Sequence, residues 1–169
     1  MIGKKDKTLV GSYKGVFERF MNKPVAYRKL IAEAIFWSAA TRFSIRYLPF
    51  RTLLRLIRGS TKGAGDADTA FTGAEPESKQ VQDIVKAVET VSRRVPWQCK
   101  CLVQASAAKI LMNKRGIRNT MCLGVLKPGE VQNPGQGEKG MKPHAWLIAG
   151  NRVVLGGEGL GRYVEVSRF

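Results

Sequence analysis

From residue 76 onward the spacing of the apolar residues changes along the chain, and the order of the changes limits the folds open to it. Val81, Ile84, Val85, Val88 and Val91 recur every three or four residues, which marks one buried helical face. Pro76 and Glu77 suit the start of that helix, and Pro96 its end. A second helix is expected from Cys101. Ala105, Ala107 and Ala108 favour it, Leu102, Ile110, Leu111 and Met112 give it bulk, and Gly116 fits its C′ position after Lys114 and Arg115. Short strand-like runs follow at Thr120 to Leu126, His144 to Ala149, Arg152 to Leu155 and Tyr163 to Val166. Gly150-Asn151 fits a hairpin turn, and the Gly/Pro-rich stretch from Lys127 to Lys142 reads as a polar loop. Two helices followed by antiparallel strands make an α+β domain.

The N-terminal third has another character. The chain of 169 residues carries a net charge of +16, and residues 1–65, with 14 basic and 3 acidic residues, hold +11 of it. Such a field attracts phosphates, anionic lipid or an acidic protein and does not choose among them. Leu30 to Ala40 is apolar apart from Glu33 and Ser38. It is shorter than the roughly 20 residues a bilayer span needs, and reads as a buried helix or one at an interface. After a break at Pro49, Arg51, Arg55 and Arg58 share one face of an amphipathic helix with Leu53, Leu54, Leu56 and Ile57 on the remainder. That basic face is either simply solvated or used for peripheral membrane contact or partner docking. Gly59 to Gly73 is rich in small and polar residues. The expected organisation is therefore a basic helical region at 1–60, a flexible linker at 61–75 and a folded domain at 76–169.

Three cysteines, an odd and small number, with no evident secretion signal, point away from a disulfide framework and towards the cytoplasm. The chain has one histidine, His144. A cysteine at a helix start and a histidine on a strand are the minimum for thiol-nucleophile chemistry. The positive end of the helix and a nearby imidazole both favour a thiolate, the imidazole can protonate a leaving amine, and N–H groups at the helix start can hold an oxyanion. Cys101 and His144 could form such a pair. The plain alternatives are a small buried cysteine packed beside alanines and a strand histidine satisfied by a carbonyl. Cys122 lies in an apolar strand and reads as core, and Cys99 as a neighbouring thiol. Cys99, Cys101, Cys122 and His144 could together hold zinc, but C-x-C is not the usual C-x₂₋₄-C spacing. A noncatalytic basic scaffold or a nucleic-acid binder is the alternative from another class. No zinc-finger spacing and no RRM or KH signature accompanies the charge, so no nucleic-acid partner is expected beyond nonspecific affinity.

Taken together, Pro96-Trp97, Cys101-Leu102-Val103-Gln104-Ala105, Leu111 through Arg115-Gly116-Ile117, Leu123-Gly124-Val125, His144-Ala145-Trp146 and a closing Tyr163 to Arg168-Phe169 resemble the transglutaminase-like leader peptidases of lasso peptide biosynthesis. These are the B proteins, in the form lacking a fused leader-recognition domain. The resemblance is strong over residues 80–169 and looser before them. It implies a transglutaminase-like, papain-like cysteine protease core, with a Cys-bearing helix packed on a His-bearing antiparallel sheet and an N-terminal helical extension. It implies Cys101 as nucleophile, His144 as general base and no metal or organic cofactor. The substrate would be a ribosomally made precursor peptide presented by a separate leader-recognition protein. An asparagine-synthetase-like enzyme would then close a macrolactam ring. One position departs from the pattern: the Asp that usually follows the His by about a dozen residues is replaced by Gly156. Glu158 is the nearest carboxylate that could turn back to the imidazole; otherwise a carbonyl or an amide orients it.

Overall fold

The computed structural model describes residues 24–49, residues 51, 52, 55 and 57, and residues 78–127 and 143–169. Among the described residues, the helices α1 (Val25–Tyr47), α2 (Lys79–Ser92) and α3 (Cys101–Asn113) precede and pack with a four-stranded antiparallel sheet. Its strands are β1 (Asn119–Leu126), β2 (Pro143–Ala149), β3 (Arg152–Leu155) and β4 (Tyr163–Arg168), in the order β3-β2-β1-β4. The fold is α+β, as the order of periodicities implies.

Local chemistry explains the boundaries. The Ser78 hydroxyl accepts from the Val81 N–H at 3.4 Å, so α2 begins on a serine cap. Val81, Ile84, Val88 and Val91 are all buried along its inner face, joined by Ala87. Gly116, at φ +68°, ends the turn after α3, and the Ile117 N–H returns to the Met112 carbonyl at 3.0 Å. Gly150, at φ +60°, makes the β2–β3 turn.

Helix α3 is buried on nearly every side, because it lies between α1 and α2 on one flank and β1 and β2 on the other. Ala105, Ala107 and Ala108 are fully covered, and their small side chains let neighbouring backbones approach closely. From β2 it receives Ala145, Leu147 and Ala149, every second residue of that strand. One polar cluster closes the far end. Lys109 is buried, with Nζ 3.3 Å from Asn119 Oδ1, and burial pulls its ammonium down to about 8. Asn119 donates onward to Asn113 Oδ1 at 2.8 Å, and Asn113 donates to the Ile57 carbonyl at 3.3 Å.

The run from Leu30 to Ala40 is not a buried helix in its own right but the middle of α1, which continues through Thr41 to Tyr47 before Leu48 turns extended ahead of Pro49. Only one side of α1 is covered, by Leu30, Ile31, Ala34, Ser38, Thr41 and Ser44. Among its described residues, the N-terminal third packs into the core of the following domain. Leu30, Ile31, Ala34 and Ile57 belong to the same apolar cluster as Val81, Leu111 and Leu147. The Arg115 guanidinium reinforces the contact through Glu33 at 2.7 Å. The expected linker at 61–75 and the side chains of Leu53, Leu54, Leu56 and Arg58 lie outside the described residues. Arg51 and Arg55 are exposed, and Ile57 faces the core.

Candidate active site

Cys101 is the first residue of α3. Its helix begins without a side-chain cap: Lys100 occupies the N-cap position, and the first turn contains no acidic residue. The first-turn N–H groups are therefore left without the usual capping partner, which leaves them able to accept an anion. The segment leading into the helix is held by Gln104, whose Nε2 donates to the Cys99 carbonyl at 2.7 Å. That link explains the glutamine of the Cys-Leu-Val-Gln-Ala run: it folds back over the turn that aims Cys101.

His144 stands near the start of β2, opposite Gly124 of β1. Its ring stacks on Tyr163 with centroids 4.6 Å apart and an interplanar angle of 26°, and lies 6.1 Å from the near-parallel ring of Trp146. Gly124 is required by this packing. A Cβ there would stand 2.8 Å from two carbons of the Trp146 ring and 2.7 Å from the Val164 carbonyl oxygen. Gly124→Ala is expected to cost about 1–3 kcal/mol of stability, read as a fall in the thermal midpoint, because the indole and the β4 backbone would both have to give way.

The sequence left two partners open for His144, a Glu158 carboxylate turned back toward the ring or a carbonyl or amide in its place; the structure shows the carbonyl and gives Glu158 no bond to the imidazole. The imidazole Nε2 lies 2.8 Å from the backbone carbonyl oxygen of Gly156. A carbonyl only accepts, so Nε2 carries the proton, and in the neutral ring Nδ1 is left as the basic nitrogen. Gly156 is held at φ +73°, and a Cβ on it would fall 2.6 Å from the Ala145 carbonyl oxygen. No carboxylate-bearing residue fits that position, and the main chain supplies the acceptor instead.

Cys101 and His144 line one cleft of about 510 Å³, together with Glu89, Gln104, the strand β3 residues Val153 to Leu155, and Gly156 to Glu158. Glu158 sits exposed on this wall, and Glu89 pairs with Arg93 at 3.4 Å. The cleft thus presents two carboxylates in a strongly cationic chain. Cys99 is half-buried, and burial raises its thiol above the ordinary range. Cys122 is fully buried on β1, and burial with the Glu165 carboxylate nearby pushes its thiol up to about 11. Of the three cysteines, all free, Cys101 is the one that lines the cleft with the imidazole. Among the described residues no cluster of three or more His, Cys, Asp or Glu side chains is placed to bind a metal.

A Cys-bearing helix packed on a His-bearing antiparallel sheet defines a class, and comparison with known families agrees with it. The chain matches the transglutaminase-like superfamily over residues 44–168 and belongs to it. That superfamily includes cysteine peptidases. The match begins at Ser44, inside α1. No curated protein and no solved structure matches the chain. Sequence reasoning picked out Cys101 and His144 as candidates and left a carbonyl open as partner of the imidazole, but it did not point to Gly156 as its source, to the Gln104 tether or to the stacking role of Tyr163. The last two residues stood in the motif set without an assigned task.

Proposed function

We propose that this protein is a cysteine peptidase that removes the leader from a ribosomally made lasso precursor peptide. A separate leader-recognition protein presents the substrate, and an asparagine-synthetase-like enzyme consumes the product in ring closure. The observation that carries the catalytic part is the joint presence in one cleft of Cys101, at an uncapped helix start, and His144, its Nε2–H engaged by the Gly156 carbonyl. The ordered motifs from Pro96 to Phe169 support the choice of substrate.

In this reading His144 Nδ1 takes the proton from Cys101 Sγ, and the sulfur attacks the scissile carbonyl carbon. The oxyanion is met by N–H groups at the start of α3. His144 returns the proton to the leaving amine, which departs as the new N-terminus of the core peptide. Water, deprotonated by His144, then opens the thioester and frees the leader as a carboxylate. These steps need no metal or organic cofactor. The reaction is placed in the cytoplasm, where thiols stay reduced. A nucleic-acid strand suits this cleft poorly, because its phosphates would meet Glu89 and Glu158.

The test is to incubate the precursor and its leader-binding protein with the full chain and follow mass. Two fragments whose masses sum to the precursor plus one water are expected. A precursor that stays intact whenever both proteins are present counts against the proposal. Glu158→Gln is expected to keep nearly the parent rate, because the imidazole is held by a carbonyl. A large loss in kcat for this variant would return Glu158 to the mechanism.

A further inference from the structure

We propose that the outward face of α1 seats this protein on an anionic membrane surface. This inference is independent of the peptidase reading. The covered residues of α1 lie on one side of the helix, and a line of apolar and aromatic residues runs along the other. Phe36, Phe43 and Tyr47 fall at i, i+7 and i+11 on that outward line and are 62%, 57% and 68% exposed. Val25, one further step of eleven residues back from Phe36, is 77% exposed. Single exposed aromatics are ordinary, whereas three aligned over about 16 Å form a patch that water does not favour.

The charge around the patch selects its occupant. Residues 24–57 contain six basic residues and one acidic residue, Glu33, which is already engaged by Arg115. Lys29 and Arg46 are exposed beside the aromatic line, and Arg51 and Arg55 are exposed just beyond the end of α1. The cations and rings are interleaved. The Arg46 guanidinium, for one, lies 5.8 Å from the centre of the Tyr47 ring. A helix with aromatic residues on its outward face, flanked by Lys and Arg, is the pattern that lies in the headgroup layer of an anionic bilayer. No described helix is long and apolar enough to cross a membrane, so the contact is peripheral. The aromatic line does not line the catalytic cleft, and docking would leave the cleft open.

The experiment is co-sedimentation of the full chain with two kinds of vesicle: phosphatidylcholine alone, and phosphatidylcholine with about 30 mol% phosphatidylglycerol. Binding is expected only to the second, weakening steeply as salt rises from about 0.05 to 0.5 M. The triple variant Phe36→Ser, Phe43→Ser, Tyr47→Ser should partition at least about tenfold less well. Because these side chains are exposed, its circular dichroism and thermal midpoint should match the parent. Failure to bind the anionic vesicles at low salt overturns the proposal. So does a triple variant that binds as well as the parent, since charge elsewhere would then suffice. A parent that sediments as a dimer, with a monomeric triple variant, would also overturn it and make this face a contact between two copies.

Discussion

Replacing Cys101 with alanine is expected to abolish cleavage of the presented precursor, with a rate loss on the order of 10⁴ to 10⁶. Cys99→Ala should cleave at close to the parent rate. The two residues are separated by one position, yet their surroundings divide the work between them. Cys101 opens α3 and lines the cleft with His144. What Cys99 contributes is its main-chain carbonyl, the acceptor for Gln104, and an alanine keeps that group. Its own thiol is raised by burial, which holds it in the less nucleophilic form. The measurement is single-turnover cleavage followed by mass, with both variants checked for a parent-like thermal midpoint. An active Cys101→Ala variant would end the assignment, and a dead Cys99→Ala with Cys101 intact would mean that the wrong sulfur had been chosen.

The second large effect is expected at a residue with no side chain. Gly156→Ala should lower both activity and stability, by two routes that start from the same atom. A left-handed backbone costs a residue with a Cβ about 1–2 kcal/mol. The added carbon would also sit 2.6 Å from the Ala145 carbonyl oxygen, and backbone in a paired strand yields little. Relief requires the segment after β3 to move, carrying the Gly156 carbonyl away from the His144 Nε2–H. The imidazole then loses what fixes its tautomer, and in a comparable triad an orienting group is worth on the order of 10⁴ in rate. Gly156→Asp, which would add a carboxylate beside the imidazole, is expected to do no better, because its Cβ meets the same oxygen. Because the chain has a single histidine, ¹⁵N spectra report the tautomer of His144 without ambiguity. The parent should show a protonated Nε2, and Gly156→Ala a mixture. A variant that keeps both tautomer and rate would show that the carbonyl is incidental.

The features that were legible in the sequence are those whose causes are local. The face of α2 could be read because Val81, Ile84, Val88 and Val91 repeat with the helix. The start of α3 at Cys101 and the turns at Gly116 and Gly150 could be read because each depends on a residue type suited to its position. Cys101 and His144 stood out because few side chains can perform their chemistry. Which carbonyl holds the imidazole was not legible, since a backbone carbonyl is present at every residue and leaves no trace in composition. The full extent of α1 was not legible for a different reason. Its middle is apolar on both sides, so spacing could not say which side a neighbour covers, and the packing against α2 and α3 decides it. The strong positive charge of the N-terminal third made it look separate, although its buried residues complete the core of the Cys-bearing helix.

Cys122 adds a use that its burial creates. With its sulfur buried on β1 and its thiol pushed up to about 11, it stays silent towards alkylating reagents at neutral pH while the native structure is closed. Once β1 separates from its neighbours the same thiol returns to ordinary reactivity. In a chain lacking Cys99 and Cys101, its labelling rate therefore becomes a clock for how often the sheet opens. Opening could then be timed with no added probe and separately from catalysis.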